Sequence, residues 1–330
     1  MIFQNIDFHN VEEMIPSEYG YRMARIPSPV RETLNERARE NAAFSATGIE
    51  LRFKIRSGEA DLYLYAEADP IVPAFLYYGY FQGGWPTHAY AIRPGENRIH
   101  LANSPVLERL QEVTKKENLP FSPEVIRLVL PSSALRFVRL EGDIVPPEEQ
   151  DVPAHTLLSY GSSITHGSLS LGPGHNYVFQ LARKLSCDSL NLGLAGSAHL
   201  EKSLAEYIIS RKDWHFATFE LGINMVDQFS PEEFERRVSD FLSVLKRDTR
   251  PMFITDIFSV LGSKKCLQTF REIVRRHMES PFIFTPGEAL LDELPLISTD
   301  MVHPSLEGQA IIARRWGETI ARHLQKEIRY

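Results

Sequence analysis

The chain has 330 residues, of which 43% are hydrophobic and 24% charged, a composition that fits a globular protein large enough for two cores. Its formal charge of -7 arises from interspersed acids and bases, so no run of Lys or Arg stands ready to neutralise a phosphate backbone, and nucleic acid is not expected as a partner. The opening MIFQNIDFHNVEEMIP carries acids where a secretory signal would be basic, and no apolar run reaches spanning length, which predicts a cytoplasmic protein without a membrane partner.

From Gly48 to Ala68 the pattern has period two: Ile49, Leu51, Phe53 and Ile55 alternate with charged residues, and DLYLYAEA resumes the alternation after Ser57-Gly58. This spacing predicts a hairpin with one buried face. Strand-like runs follow at FLYYGYF, HAYAI, NRIHL, VIRLVL and LRFVRLEG, interrupted by one helix that opens near Asn103 or Ser104 and ends before Pro120. Many short strands with one helical insertion predict a jelly-roll β-sandwich over residues 1–150. The polar connector PPEEQDVP marks the boundary. Over residues 151–330, apolar runs alternate strictly with helical periods: HTLLSY, DSLNLGL, FATFELG, PMFITDIF and PFIFT, each followed by a helix. Such alternation predicts a parallel sheet with helices on both faces, whose ligands bind at the carboxyl ends of the strands.

The chemically suggestive residues fall at those ends. In SYGSSITHG, Gly161 ends a strand and either Ser162 or Ser163 suits the cap of the following helix; a nucleophilic role requires a base and a group to orient it. Near the C-terminus, STDMVHPS places Asp300 three residues before His303, close enough for a turn to bring carboxylate to imidazole. LNLGLAGSAH puts Gly193 and Gly196 after a strand, where a backbone amide can approach a ligand, and ELGINMVD sets Asn224 beyond the next strand. A helix cap, a plain turn or a surface histidine would explain each singly. Together they make the parts list for acyl transfer. The two cysteines, Cys187 and Cys266, read as small apolar residues, and no histidine pair has ligand spacing, so neither metal nor cofactor is expected.

The four stretches, in their order, resemble the sequence blocks of the SGNH hydrolases, also called the GDSL lipases and esterases. GSSIT is similar to the family's GDS-hydrophobic-T, LAG to its glycine block, GIN to its G-x-N and DMVHP to its D-x-x-H. The resemblance spans residues 155–330 and implies a flavodoxin-like three-layer α/β/α domain. It implies a triad of Ser163, His303 and Asp300, and an oxyanion hole of Ser163, Gly196 and Asn224. Ser162 stands where the pattern has Asp, and Met225 where Asp often follows the asparagine. The α/β-hydrolase elbow is disfavoured, because Thr165 occupies the place of its second glycine.

The amino-terminal sandwich resembles the accessory jelly roll of some family members, including carbohydrate esterases. The expected activity is therefore a serine esterase removing short acyl groups, acetyl foremost, from a carbohydrate or similar polyol. An acyltransferase with the same triad and an inactive glycan-binding protein are the alternatives. Trp85, in a Gly/Pro-punctuated loop, and His166, just after the nucleophile block, are the candidate substrate contacts. Self-association is left open.

Overall fold

The computed structural model describes residues 1–67, 72–226, 228–261, 267–325 and 329. Its first unit contains strands β1 (Ile2–Phe3), β2 (Ile6–His9), β3 (Glu13–Ser17), β4 (Gly20–Ala24), β5 (Glu50–Ala66), β6 (Val72–Tyr78), β7 (Phe81–Gln82), β8 (Ala89–Ile92), β9 (Gly95–Leu101), β10 (Ile126–Val129) and β11 (Leu135–Val145). All pair antiparallel. The predicted hairpin at Ser57-Gly58 is not formed. β5 runs through as one 17-residue strand, its first half bonded to β2 and β10 and its second to β9. β11 pairs Asp143 with Ser57 but Glu141 with Asp61, so three β5 residues lie opposite Gly142 alone. A bulge with Gly58 at φ +69° kinks the strand and passes it from one layer to the other, where a turn would reverse it. The alternation seen in the sequence thus buries Leu51, Phe53 and Ile55 in the same core as Leu62 and Leu64.

The inserted helix α3 (Leu107–Glu117) ends at Asn118, whose left-handed φ of 48° closes its last turn. Before it, α1 (Ser28–Arg31) and α2 (Glu36–Glu40) leave the sandwich: Leu34, Ala38, Ala42 and Ala43 are buried with Leu190, Ala198 and Leu204 of the second unit. Polar ties reinforce this shared core. The buried Arg52 guanidinium holds Asp188 through two bonds of 2.6 and 2.7 Å, and buried Arg25 donates to the carbonyls of Asn191 and Gly193.

The second unit is doubly wound. Strands β12 (Thr156–Gly161), β13 (Asp188–Gly193), β14 (Phe216–Glu220), β15 (Met252–Thr255) and β16 (Ile283–Phe284) pair in parallel, in the order β13-β12-β14-β15-β16. After the short α4 (Ser163–His166) come α5 (Tyr177–Lys184), α6 (Lys202–Ser210), α7 (Pro231–Leu245), α8 (Leu267–Arg276), α9 (Gly287–Leu290) and α10 (Leu306–Leu324). Side chains of α6, α7 and α8 fill one face of the sheet, and those of α5 and α10 the other. Side-chain caps start three of these helices: Asn176 accepts from Phe179 N, Ser230 from Glu233 N and Ser305 from Gly308 N. Because β12 lies between β13 and β14, the chain reverses its winding there, and the carboxyl ends of these strands frame a crevice. Among the described residues no helix is long and apolar enough to cross a membrane.

Candidate active site

β12 ends at Gly161, and Ser162 caps α4 by accepting from Ile164 N at 3.1 Å, so Ser163 is the first helical residue. The cap is itself anchored. Ser162 N and Oγ and Thr165 Oγ1 all donate to Glu220, the last residue of β14, at 2.7–2.8 Å. Thr165 Oγ1, having spent its proton on Glu220, accepts from Tyr177 Oη at 2.8 Å. Burial pushes the Glu220 carboxyl upward, an effect opposed by its Ser162 and Thr165 donors. A side chain at Gly161 would collide with Thr165 Oγ1 and Glu220 Oε2, which is why glycine ends this strand. The sequence reading missed Glu220; its only trace was a charged residue closing the otherwise apolar run FATFELG.

His303, the expected base, sits on the loop before α10. His303 Nε2 lies 2.7 Å from Ser163 Oγ, and its Nδ1 lies 2.5 Å from Asp300 Oδ2. With Nδ1–H donated to the carboxylate, Nε2 is the lone pair that accepts the serine hydroxyl. The other carboxylate oxygen accepts from Ser298 Oγ, Val302 N and His303 N at 2.6–3.0 Å. Burial alone would raise the Asp300 carboxyl, but the Ser298, Val302 and His303 donors outweigh it and hold the group well below the ordinary aspartate range. Met301, at φ +69°, and the bond from Ser298 N to His303 O close the loop on itself.

Ser163, His303 and Asp300 open onto a cavity of about 410 Å³ that Ala195, Gly196, Ile223, Asn224, Val226 and Arg37 also line. Asn224 Oδ1 is taken by Ala198 N at 3.2 Å, and its amide nitrogen donates to no acceptor among the described residues. The backbone amides of Ser163 and Gly196 likewise find no acceptor among the described residues. Three unspent donors on the wall that carries a polarised serine are suited to receive negative charge on an oxygen. The structure also separates the two glycines left open by the turn: Gly193 packs against the backbone of His166, whereas Gly196 faces the cavity.

Residues 154–260 match the model of the GDSL-like Lipase/Acylhydrolase family. That match spans β12 to β15; Ser163, Gly196 and Asn224 fall inside it, and Asp300 and His303 beyond it. No curated protein sequence matches this chain. Solved structures do. It superposes on a salicylyl-acyltransferase from a tetracycline biosynthetic pathway with a TM-score of 0.77 at 13% identity, over 97% of this chain and 95% of that one. A GDSL-like lipase from Bacteroides ovatus gives 0.71 at 16%, covering 98% and 97%. A family two carbohydrate esterase from Clostridium thermocellum, solved with cellohexaose, gives 0.56 at 14%, covering 84% and 92%. These likenesses establish the fold: an α/β/α domain preceded by a β-sandwich.

The two candidate substrate contacts lie apart from the cavity beside Ser163. His166 is buried: its Nε2 meets Ser45 Oγ at 2.7 Å, its carbonyl accepts from Thr47 Oγ1, and Nδ1 has no partner among the described residues. It lines a separate cavity of about 160 Å³ between the two units, with Thr47, Pro131 and Leu171. Burial, with the Arg25 and His303 charges adding to it, pushes its imidazole down to about 3, so it is neutral at physiological pH. Trp85 is 89% exposed and stacks on His88. Tyr77, Tyr78 and Tyr80 of the same aromatic run are buried, as core residues or at the junction with α5. Cys187 is buried, and Cys266 lies outside the described residues.

Proposed function

We propose that the protein is a serine esterase that cleaves short acyl esters, acetyl groups on carbohydrates or similar polyols foremost, through Ser163, His303 and Asp300. Ser163 Oγ attacks the ester carbonyl carbon while its proton passes to His303 Nε2, and the carbonyl electron pair moves onto oxygen. That oxyanion accepts hydrogen bonds from the Ser163 and Gly196 amides and the Asn224 side chain. Collapse breaks the bond to the alkoxy oxygen, which leaves as an alcohol with the proton from His303. Water then attacks the acyl-enzyme, giving its proton to His303; the acid departs and Ser163 Oγ is reprotonated. Asp300 keeps the productive tautomer and stabilises the imidazolium, its low proton affinity leaving it ionised throughout.

The observation that carries this reading is the unbroken line of hydrogen bonds from Asp300 through His303 to Ser163, opening beside three unspent donors. The carbohydrate class draws on the family two carbohydrate esterase and on an acetyl xylan esterase from Butyrivibrio proteoclasticus, which share the fold. A second reading, in which an alcohol replaces water in the last step, draws on the salicylyl-acyltransferase whose structure spans both units. Ser163→Ala is expected to reduce p-nitrophenyl acetate turnover to the residue left by binding and the oxyanion hole, a loss of roughly a thousandfold or more, with an unaltered melting temperature. An unimpaired mutant would end the proposal. Ester product formed when acetylated xylo-oligosaccharide is mixed with an acceptor alcohol would select the transfer reading.

A further inference from the structure

The triad cavity contains one residue from far upstream. Arg37, on α2, lines it together with Ser163, Gly196, Asn224 and His303. Its guanidinium lies against Gly196: a Cβ built there would stand 2.6 Å from Arg37 Cζ and 2.8 Å from Nη2. Glycine at this position therefore leaves room for a cation beside the oxyanion wall as well as for the amide. The helix that presents Arg37 is fixed to the same wall. Asn35 caps α2 through Ala38 N and donates to Ser197 O at 2.9 Å and Glu201 Oε1 at 2.7 Å, while Ala38 is fully buried.

The side chain itself is unspent. Arg37 is exposed, and its guanidinium makes no ion pair or hydrogen bond among the described residues, although its neighbours Arg31 and Arg39 are both paired with glutamates. Among the described residues that line the cavity, Asp300 is the only acid, and it is occupied by His303, Ser298 and backbone amides. A planar five-donor cation that finds no carboxylate among the described residues is matched to one on a ligand. We infer that Arg37 is a specificity residue that recognises a carboxylate carried by the ester substrate within a few ångströms of the scissile carbonyl. The inference rests on the esterase reading for its reaction, and it narrows the substrate class to anionic esters. The carboxylate would belong to the acyl group or to the alcohol.

Paired substrates that differ in charge alone test this. Monoethyl succinate against ethyl succinamate probes the acyl side; 2-acetoxypropanoate against 2-acetoxypropanamide probes the alcohol side. Wild type should favour the charged member of one pair in kcat/KM, identifying the source. Arg37→Gln should cut that preference by roughly ten- to a hundredfold, the range for losing a charge-assisted bond, and Arg37→Lys should restore part of it. Equal turnover of both members of both pairs by wild type, or equal losses on charged and neutral esters in Arg37→Gln, would overturn the inference. Calorimetric titration with succinate and with lactate is independent of turnover. Binding of one of them that Arg37→Gln abolishes would uphold the anion site even if wild type hydrolysed no ester, in which case the esterase reading alone would fall. Absence of both carboxylate binding and charge preference would refute the inference itself.

Discussion

The nucleophile turn and the base loop deliver adjacent atoms by opposite means. The turn from Gly161 to His166 is buried and tied to remote parts of the chain: to Glu220 on β14, Tyr177 on α5, and Ser45 and Thr47 of the sandwich unit. The loop from Ser298 to His303 is largely exposed, and every bond that shapes Asp300 comes from within five residues. The serine is thus placed by tertiary structure and the base by local structure. Disturbing the first should affect stability and catalysis together, whereas disturbing the second should affect catalysis alone.

The sharpest test of that division lies in the base loop. Asp300→Asn keeps an oxygen to accept from Ser298 Oγ, Val302 N and His303 N, yet presents an amide where His303 Nδ1 donates. The imidazole is then driven to the wrong tautomer, and kcat should fall by roughly ten-thousandfold with little change in melting temperature. An accompanying loss of stability would mean that the loop is not self-contained.

In the nucleophile turn the corresponding change is Glu220→Gln. Three donors converge on the Glu220 carboxyl, and an amide offers one acceptor oxygen and turns an –NH₂ toward the rest. We expect a loss of about 1–3 kcal/mol of stability, read from denaturant unfolding. A drop in kcat of roughly ten- to a hundredfold should accompany it, because the Ser163 hydroxyl moves relative to Nε2. Unchanged stability and rate would detach the turn from β14 and abolish the contrast. Ser162→Ala removes one of those donors and the helix cap at once, so it too should impair activity, though less than loss of Ser163.

The same division explains what could be read in advance. D-x-x-H was legible because a carboxylate and an imidazole three residues apart meet within one turn, and the βα alternation was legible because each short apolar-rich strand is followed by a helical period. Glu220 was not legible, since nothing local says that a strand-ending acid will face Ser162. His166 read as a candidate substrate contact; Ser45 and Thr47, more than a hundred residues upstream, hold it in a buried position. Arg37 was missed for the same reason, its path to Gly196 running through a helix that leaves one unit to pack on the other. β1 to β4 went unread because they are only two to five residues long and, β2 apart, their half-buried residues do not alternate, as in EMIPS of β3. The Ser57-Gly58 pair resembled a turn because a bulge and a hairpin demand the same glycine conformation.

The smallest expected effect distinguishes the two regions by pH. His166 is held neutral down to about 3, whereas a histidine in the unfolded chain protonates near 6.5. Between those values the unfolded state binds a proton at this site that the folded state does not, so stability falls as pH is lowered, by at most about 1.4 kcal/mol per unit. Asp300, depressed below the ordinary carboxylate range, acts in the same direction but only below about pH 4. Glu220, raised by burial, acts with the opposite sign, because the folded state then holds its proton more firmly than the unfolded one. His175 and His199 are also lowered by burial and contribute slopes of their own, so the wild-type curve alone assigns nothing. The difference between curves does. His166→Gln retains a polar group for Ser45, and its stability should decline from pH 6.5 to 4.5 with a slope shallower than wild type by up to one proton. Asp300→Asn should parallel wild type over that interval and depart from it only at lower pH. Parallel curves for His166→Gln would mean that the buried turn admits a proton, and that its stability is no more remote in origin than that of the base loop.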